Sequence, residues 1–154
     1  MLRNATFLGP SGPGIGPQFD AVLAQQERLC EALEDLADSL PARIDSYSAL
    51  VLAKKLRPTL RQCHVFEETM VFPLLLTAQR DLTPILRRLR AEHMEDADHA
   101  GDVHDAIKLL IAHRAAANSE TVGYMLRALF VAMRRHVALE RDFILPIVRG
   151  MDLS

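Results

Sequence analysis

The sequence predicts an all-α protein, an up-down-up-down four-helix bundle preceded by an irregular Gly/Pro-rich N-terminal arm. Apolar residues recur at helical spacing along most of the chain, and no long stretch shows the alternation typical of a strand. The connections between the periodic stretches are short, and a short connection returns each helix alongside the one before it. At 154 residues the chain fits one domain with a substantial core.

The predicted arm covers residues 1–18, which contain four of the seven Gly and three of the eight Pro. Residues 19–150 then form the predicted bundle. Its first helix begins near Phe19, because apolar residues follow at intervals of three and four until Pro41 ends the pattern.

The second helix is predicted from about residue 45 to residue 79. Pro58 lies inside it and removes a backbone donor, so we expect a kink or a fresh start there. The third helix is expected to use Thr83 as its cap and Pro84 as its first residue, and to run to about Ala115.

The fourth helix follows the turn "AANSE". Either Asn118 or Ser119 is suited to cap it, because both side chains can accept a hydrogen bond from the first helical turn. Apolar residues then continue at helical spacing to Gly150, which we expect to end the helix.

Composition excludes several classes of function. The chain has 18 Lys and Arg against 20 Asp and Glu, so we expect no nucleic-acid partner. The first residues lack the apolar segment of a secretion signal, and no stretch is long enough to cross a membrane. Cys30 and Cys63 are expected to be reduced thiols in a cytoplasmic protein, with Cys63 more typical of a buried inert thiol than of a redox site.

Two similar cassettes carry the chemistry of the chain. His64 precedes Glu68 by four residues and His136 precedes Glu140 by four, and each pair leads into an apolar run broken by Pro. Residues four apart share a helix face, and here that face continues the apolar stripe of its helix. Two buried carboxylates without a positive partner are unfavourable, and a cation held by imidazole and carboxylate would remove that penalty.

A third histidine comes to the same depth. Folding the chain about its turns brings His93 of the third helix to within about one helical turn of both cassettes. A single His-x-x-x-Glu pair is more often a simple hydrogen-bonding pair, but the repetition and the level histidine favour a metal site. The candidate ligands are His64, Glu68, His93, His136 and Glu140. Three further histidines, His99, His104 and His113, are interpreted as solvated or structural.

These motifs resemble the hemerythrin-like family with the HHE cation-binding domain, of the bacterial type. "HVFEETMVFPLL" is similar to the family's second-helix motif, "EHMED" to its third-helix motif and "HVALERDFILP" to its fourth. The resemblance implies a four-helix bundle around non-haem iron, usually a di-iron centre. It also implies that Glu68 and Glu140 bridge the metals, and that His64, His93 and His136 are terminal ligands.

The sequence departs from the family at two ligand positions. The first helix has no histidine, and Asp20, Gln25 and Gln26 are its polar residues at the right level, with Leu23 at a plausible ligand position. Ala97 stands where the oxygen-carrying members have a second third-helix histidine, although Asp96 is adjacent. A di-iron centre, a single iron and an empty site therefore all stay open, and zinc or manganese are alternatives to iron.

The resemblance implies a protein that senses or handles oxygen, nitric oxide, peroxide or iron, with a diatomic molecule or peroxide as its ligand. We expect a binding role rather than an enzyme, and assign no catalytic residue. The alternative is a metal-free bundle that acts as a regulatory protein-interaction module, for instance through the Arg-rich stretch "ILRRLR". The sequence identifies no particular protein partner.

Overall fold

The computed structural model describes residues 14–115 and 117–152, and this part of the chain is helical with no strand. The predicted all-α fold is confirmed. Most of the predicted arm lies outside the described residues. In chain order, the helical segments are α1 (Ile15–Ser39), α2 (Ser46–Phe66), π1 (Glu67–Val71), α3 (Phe72–Leu75), α4 (Thr83–Ala112), α5 (Ser119–Leu139), π2 (Glu140–Ile144) and α6 (Leu145–Asp152).

The segments assemble into four bundle helices. One helix runs without a break through α2, π1 and α3, and another runs through α5, π2 and α6. Within them, π1 and π2 are single turns of wider π-helix. The helix α1 packs on α2 and α5, and α4 packs on the same two helices from the other side. This ring of neighbours is that of an up-down-up-down bundle.

The first and last helices extend beyond their predicted ends. The helix α1 begins at Ile15, with Gly16 and Pro17 in its first turn, where backbone N–H groups have no intrahelical partner and Pro therefore removes nothing. The N–H of Gly16 instead donates to Asp152 Oδ2 at 2.6 Å. The last helix continues through Gly150 to Asp152, so Gly150 is not its end.

The structure differs from the predictions at Pro58 and at the cap of α4, and it selects one of the two predicted caps of α5. The helix α2 passes through Pro58 without a fresh start. Asp81, not Thr83, supplies the oxygen at the start of α4, accepting from the backbone N–H of Thr83 at 3.0 Å. Asn118 caps α5 as one of the two predicted candidates, and its side chain accepts from the N–H of Thr121.

The apolar core is divided into two clusters. One occupies the end of the bundle that contains Leu33, Leu56 and Leu126. The other occupies the opposite end, around Phe19 and Leu75. In every bundle helix, buried polar residues lie between the positions that belong to the two clusters. A polar layer therefore separates the two apolar ends of the bundle. The fold brings the polar residues of all four bundle helices together in this layer.

Other predicted features have ordinary structural roles. Cys30 and Cys63 are buried free thiols, and burial raises the pKa of each to about 12. In the stretch "ILRRLR", Arg88 pairs with Glu92 and Arg90 pairs with Glu68. Among the described residues, no helix combines the length and apolarity needed to cross a membrane.

Candidate metal centre

The polar layer is built from all four bundle helices. It contains seven polar residues, each at most 6% exposed: Gln26, His64, Glu67, His93, Asp96, His136 and Glu140. Such a concentration of ionisable groups in the middle of a small core is unfavourable unless the groups satisfy one another or bind an ion.

Two π turns place the glutamates in this layer. Glu67 is the first residue of π1 and Glu140 is the first residue of π2, and in each turn the glutamate carbonyl accepts from the N–H five residues on. Pro73 and Pro146 follow at the same distance, six residues after each glutamate. Because a Pro ring collides with the carbonyl four residues before it, a wider turn at that point relieves the conflict. The Pro residues thus explain why the helices widen where the carboxylates enter.

Glu67, His93 and Glu140 form the tightest group in the layer. His93 Nε2 lies 2.8 Å from Glu67 Oε2 and 3.6 Å from Glu140 Oε1. One potential ligand atom from each residue lies within 4.8 Å of the other two. The three side chains come from three different helices, so their convergence is a tertiary feature that no local motif can produce.

A histidine and an amide support this triad. The ring of His64 stacks on that of His93, with centroids 3.9 Å apart and planes 8° from parallel. Gln26 of α1 donates from Nε2 to Glu67 Oε1 at 2.8 Å. The first helix therefore reaches the centre through an amide, whereas Leu23 belongs to the apolar cluster beside it.

A second pair lies next to the triad. His136 Nε2 is 2.8 Å from Asp96 Oδ2, and His136 Nδ1 is 3.8 Å from Glu92 Oε2. The rings of His93 and His136 have centroids 6.3 Å apart, so the His136–Asp96 pair lies beside the triad in the polar layer. Asp96 is as buried as the histidine it contacts.

The ionisation of the triad is strongly perturbed. Burial raises the pKa of Glu140 well above its ordinary value, and the negative charge of Glu67 adds to the rise. Burial also opposes ionisation of Glu67, but the close approach of His93 and Glu140 holds its pKa below the ordinary value. Burial works against protonation of His93, yet its contacts with Glu140 and Glu67 raise its pKa to about 10. Near neutral pH the metal-free triad therefore retains a proton on His93.

His64 behaves in the opposite way. Burial and the neighbouring His93 lower the pKa of His64 to about 3. Its imidazole is therefore neutral at physiological pH, which is the form that can bind a metal.

The donor atoms of the layer are left without hydrogen bonds. Buried atoms without a partner among the described residues include Gln26 Oε1, His64 Nε2, Glu67 Oε2, both ring nitrogens of His93, Asp96 Oδ2, His136 Nε2 and both carboxylate oxygens of Glu140. Even the 2.8 Å approach of His93 to Glu67 lacks the orientation of a hydrogen bond. Orphaned groups of this kind are rare in native cores, and a cation bound among them would satisfy several at once. The residues present therefore fit a metal.

The structure gathers four of the five predicted ligands in the layer. His93 and Glu140 belong to the triad, and His64 and His136 lie beside it. Glu68 does not reach the layer in the same way. Its Oε1 accepts from Arg90 at 3.1 Å, and its Oε2 stays 3.8 Å from His93 Nδ1.

Sequence reasoning missed Glu67, which occupies the triad position expected for Glu68. The equal spacing from Glu67 to Pro73 and from Glu140 to Pro146 was an available signal, because equivalent residues should keep the same distance to the Pro that widens the turn. Gln26 was among the polar candidates of α1, and Asp96 was noted beside Ala97; the structure gives both a place in the layer.

Comparison with known proteins agrees with this geometry. The chain matches the model of the hemerythrin HHE cation binding domain over residues 18–148. No curated protein and no solved structure gives a significant match. The family match covers most of the chain and includes every helix that contributes to the polar layer. The chain belongs to the hemerythrin HHE cation binding domain family.

Proposed function

We propose that this protein binds non-haem iron in the polar layer and uses it to sense or handle a small ligand such as oxygen, nitric oxide or peroxide. The observation that carries the proposal is the convergence of Glu67, His93 and Glu140 from three helices, with their inner atoms lacking hydrogen bonds. A set of imidazole and carboxylate donors suits iron, manganese or zinc, and histidine and carboxylate ligands with open positions are typical of non-haem iron sites that react with oxygen.

The residues of the polar layer have different proposed roles in metal binding. Glu67, His93 and Glu140 are the residues that would hold a metal in the triad. His136 and Asp96 offer a second set of donors next to the triad. Gln26 orients Glu67 through its amide, as outer-sphere partners do in metal sites. Iron bound here would supply an open coordination position for a small ligand.

A sensing role is favoured over catalytic turnover by the surroundings of the centre. The layer lies between two apolar clusters, and Glu67 and Glu140 are fully buried, so a large substrate has no room at these two carboxylates. A diatomic molecule or peroxide is small enough to enter. We infer a cytoplasmic setting from the free thiols.

The proposal is tested by metal content per chain in protein purified without oxygen, followed by its visible absorption spectrum when air is admitted. We expect about two irons per chain, or one if only the triad is occupied, together with a new charge-transfer band in air. The exposed variant Asp102→Asn is the control, because loss of a surface carboxylate should change neither quantity. Protein that neither retains nor takes up iron would refute the proposal and favour a metal-free interaction module.

A further inference from the structure

A groove runs along the outside of the bundle between α2 and α4 and reaches the polar layer. Its cavity has a volume of about 670 Å³. The rings of His64 and His93 form part of its lining. The groove meets the candidate metal centre at these two rings, and the proposed function does not use the rest of it.

Small residues of α4 create the space. Ala97 and Ala100 line the groove on that helix, and Gly101 lies beside them. The guanidinium of Arg57 lies across Gly101, where an added Cβ would meet it at 4.0 Å. Larger residues at these positions would fill the space between the helices, so the opening is a consequence of sequence rather than of loose packing.

Three cations line the α2 side of the groove. Lys54, Arg57 and Arg61 follow one another at helical spacing on one face of α2. Among the described residues none of the three has a carboxylate partner within ion-pair distance, while the single acidic lining residue, Glu68, is already paired with Arg90. The chain as a whole has a formal charge of -2, so this local excess of positive charge runs against the overall balance.

Apolar side chains make up the rest of the groove. Val65 is 49% exposed and Met94 is 68% exposed, and both line it. Leu60 and Ala53 extend the apolar surface inward. A site with unpaired cations along its α2 side and exposed apolar side chains beside them suits a ligand with a negative head and an apolar body.

We propose that the groove between α2 and α4 binds an aliphatic carboxylate, with its acid group held by Lys54, Arg57 and Arg61 and its chain lying toward His64. The distance along α2 from Arg57 to His64 is about 10 Å, at 1.5 Å per helical residue. A medium-length chain spans this distance and covers the groove face of the metal centre. The inference stands on the groove alone and holds whether or not the layer contains iron.

The test measures binding of octanoate to the full chain by isothermal titration calorimetry. Octanoate should bind saturably, with octanol and inorganic phosphate each about tenfold weaker or worse, since each lacks one of the two interactions. If octanol binds as well as octanoate, the cations contribute nothing; if phosphate binds as well, the apolar walls contribute nothing. Either result overturns the proposal, as does the absence of octanoate binding.

Variants locate the site. The double change Arg57→Gln and Arg61→Gln should raise the Kd for octanoate about tenfold, because each exposed ion pair contributes modestly. The matched control is Arg28→Gln with Lys55→Gln, which removes the same charge from a second groove between α1 and α2. An equal loss of affinity in the control would show that only net charge matters and would reject the site.

A third variant removes the space without removing charge. Ala97→Leu should abolish octanoate binding by filling the groove, and its metal content should be measured in parallel. Unchanged octanoate affinity in Ala97→Leu would contradict the proposed position of the chain. Because octanoate binding and iron content are separate readouts, failure of this proposal is distinguishable from failure of the metal proposal.

Discussion

At the scale of single residues, the centre depends on which of two adjacent glutamates points inward. Neighbouring residues on a helix differ by about 100° in direction, so Glu67 and Glu68 cannot both point to the centre of the polar layer. Glu67 is fully buried against His93 and Gln26, whereas Glu68 pairs with Arg90 near the surface. The widened turn π1 begins at Glu67.

The first prediction compares these two residues. Glu67→Gln should weaken iron binding at least about a hundredfold, because it replaces an anionic ligand in the triad by a neutral amide. Glu68→Gln should leave iron binding within a few-fold of the parent, since its oxygen contacts Arg90. The measurement is the affinity of each purified variant for ferrous iron under anaerobic conditions. Loss of binding in Glu68→Gln with retention in Glu67→Gln would restore the ligand predicted from the sequence.

Sequence patterning predicted the helices and the depth of the polar layer, but not every residue in it. His93 was identifiable because it is level with both cassettes after folding about the turns. Glu67 was harder to select, because Glu67 and Glu68 follow His64 by three and four residues and both spacings suit one helix face, so only the distance to Pro73 distinguishes them. Gln26 was equally hard to select, since an amide has no fixed role until its tertiary partner is known.

The second prediction follows from the protonation of the triad. The pKa of His93 is raised to about 10, so His93 holds a proton at neutral pH without metal, and burial also favours the protonated form of Glu140. Metal binding through His93 needs its imidazole deprotonated and must release that proton. Affinity for a divalent metal should therefore increase as pH rises from about 6 toward 9, and binding near pH 7 should release about one proton or more per triad.

This linkage is measured by titrating the anaerobic metal-free protein in weakly buffered solution while recording pH. The variant His99→Gln is a suitable control, because His99 is exposed and lies outside the layer. An affinity that does not change with pH, or binding without proton release, would mean that the metal does not displace the proton of His93.

At the scale of elements, the Pro residues inside the helices differ in their effect on helix geometry, because some follow a π turn and one does not. Pro73 and Pro146 follow the π turns, which accommodate their rings. Pro58 instead lies inside α2, and the helix continues through it on an exposed face. The sequence signals a Pro in each case, but whether the chain kinks, widens or continues depends on packing against the neighbouring helices. Helix number and order were thus predictable, while local geometry at Pro was not.

The third prediction concerns Pro58. Pro58→Ala should increase the free energy of unfolding by about 1–3 kcal/mol, because it restores a backbone donor in a helix interior. Iron content should not change, since Pro58 is not in the polar layer. Urea unfolding followed by circular dichroism measures the effect. Pro84→Ala is the matched control, because Pro in the first helical turn removes no intrahelical hydrogen bond and its replacement should not stabilise.

A contradictory result for Pro58 would be informative about α2. If Pro58→Ala left the free energy of unfolding unchanged, the restored hydrogen bond would be worth no more than the freedom gained by the unfolded chain. The presence of Pro58 inside the continuous helix α2 would then be without energetic consequence.

At the scale of the whole molecule, the polar layer divides the apolar core, and burying its ionisable groups lowers the stability of the metal-free fold. The two apolar clusters are contributed by the same four bundle helices, and they would form a continuous core if the layer were apolar. Glu67 and Glu140 instead place two carboxylates side by side with almost no exposure. Stability given up in the metal-free protein is recovered when a ligand binds only the folded state.

The fourth prediction tests this balance with the double variant Glu67→Leu and Glu140→Leu. Without metal it should be more stable than the parent, by about 1–4 kcal/mol, because apolar side chains replace poorly satisfied buried acids. With iron the order should reverse, since the parent gains stability from binding and the variant does not. Thermal unfolding of both proteins with and without iron gives the four values required. The control is Glu31→Leu with Glu95→Leu, which makes the same replacement at exposed positions of α1 and α4 and should keep the iron-dependent rise in Tm. A double variant that is less stable than the parent in the absence of metal would mean that the two carboxylates already stabilise the empty bundle, and the layer would then be a structural network rather than a centre kept for its ion.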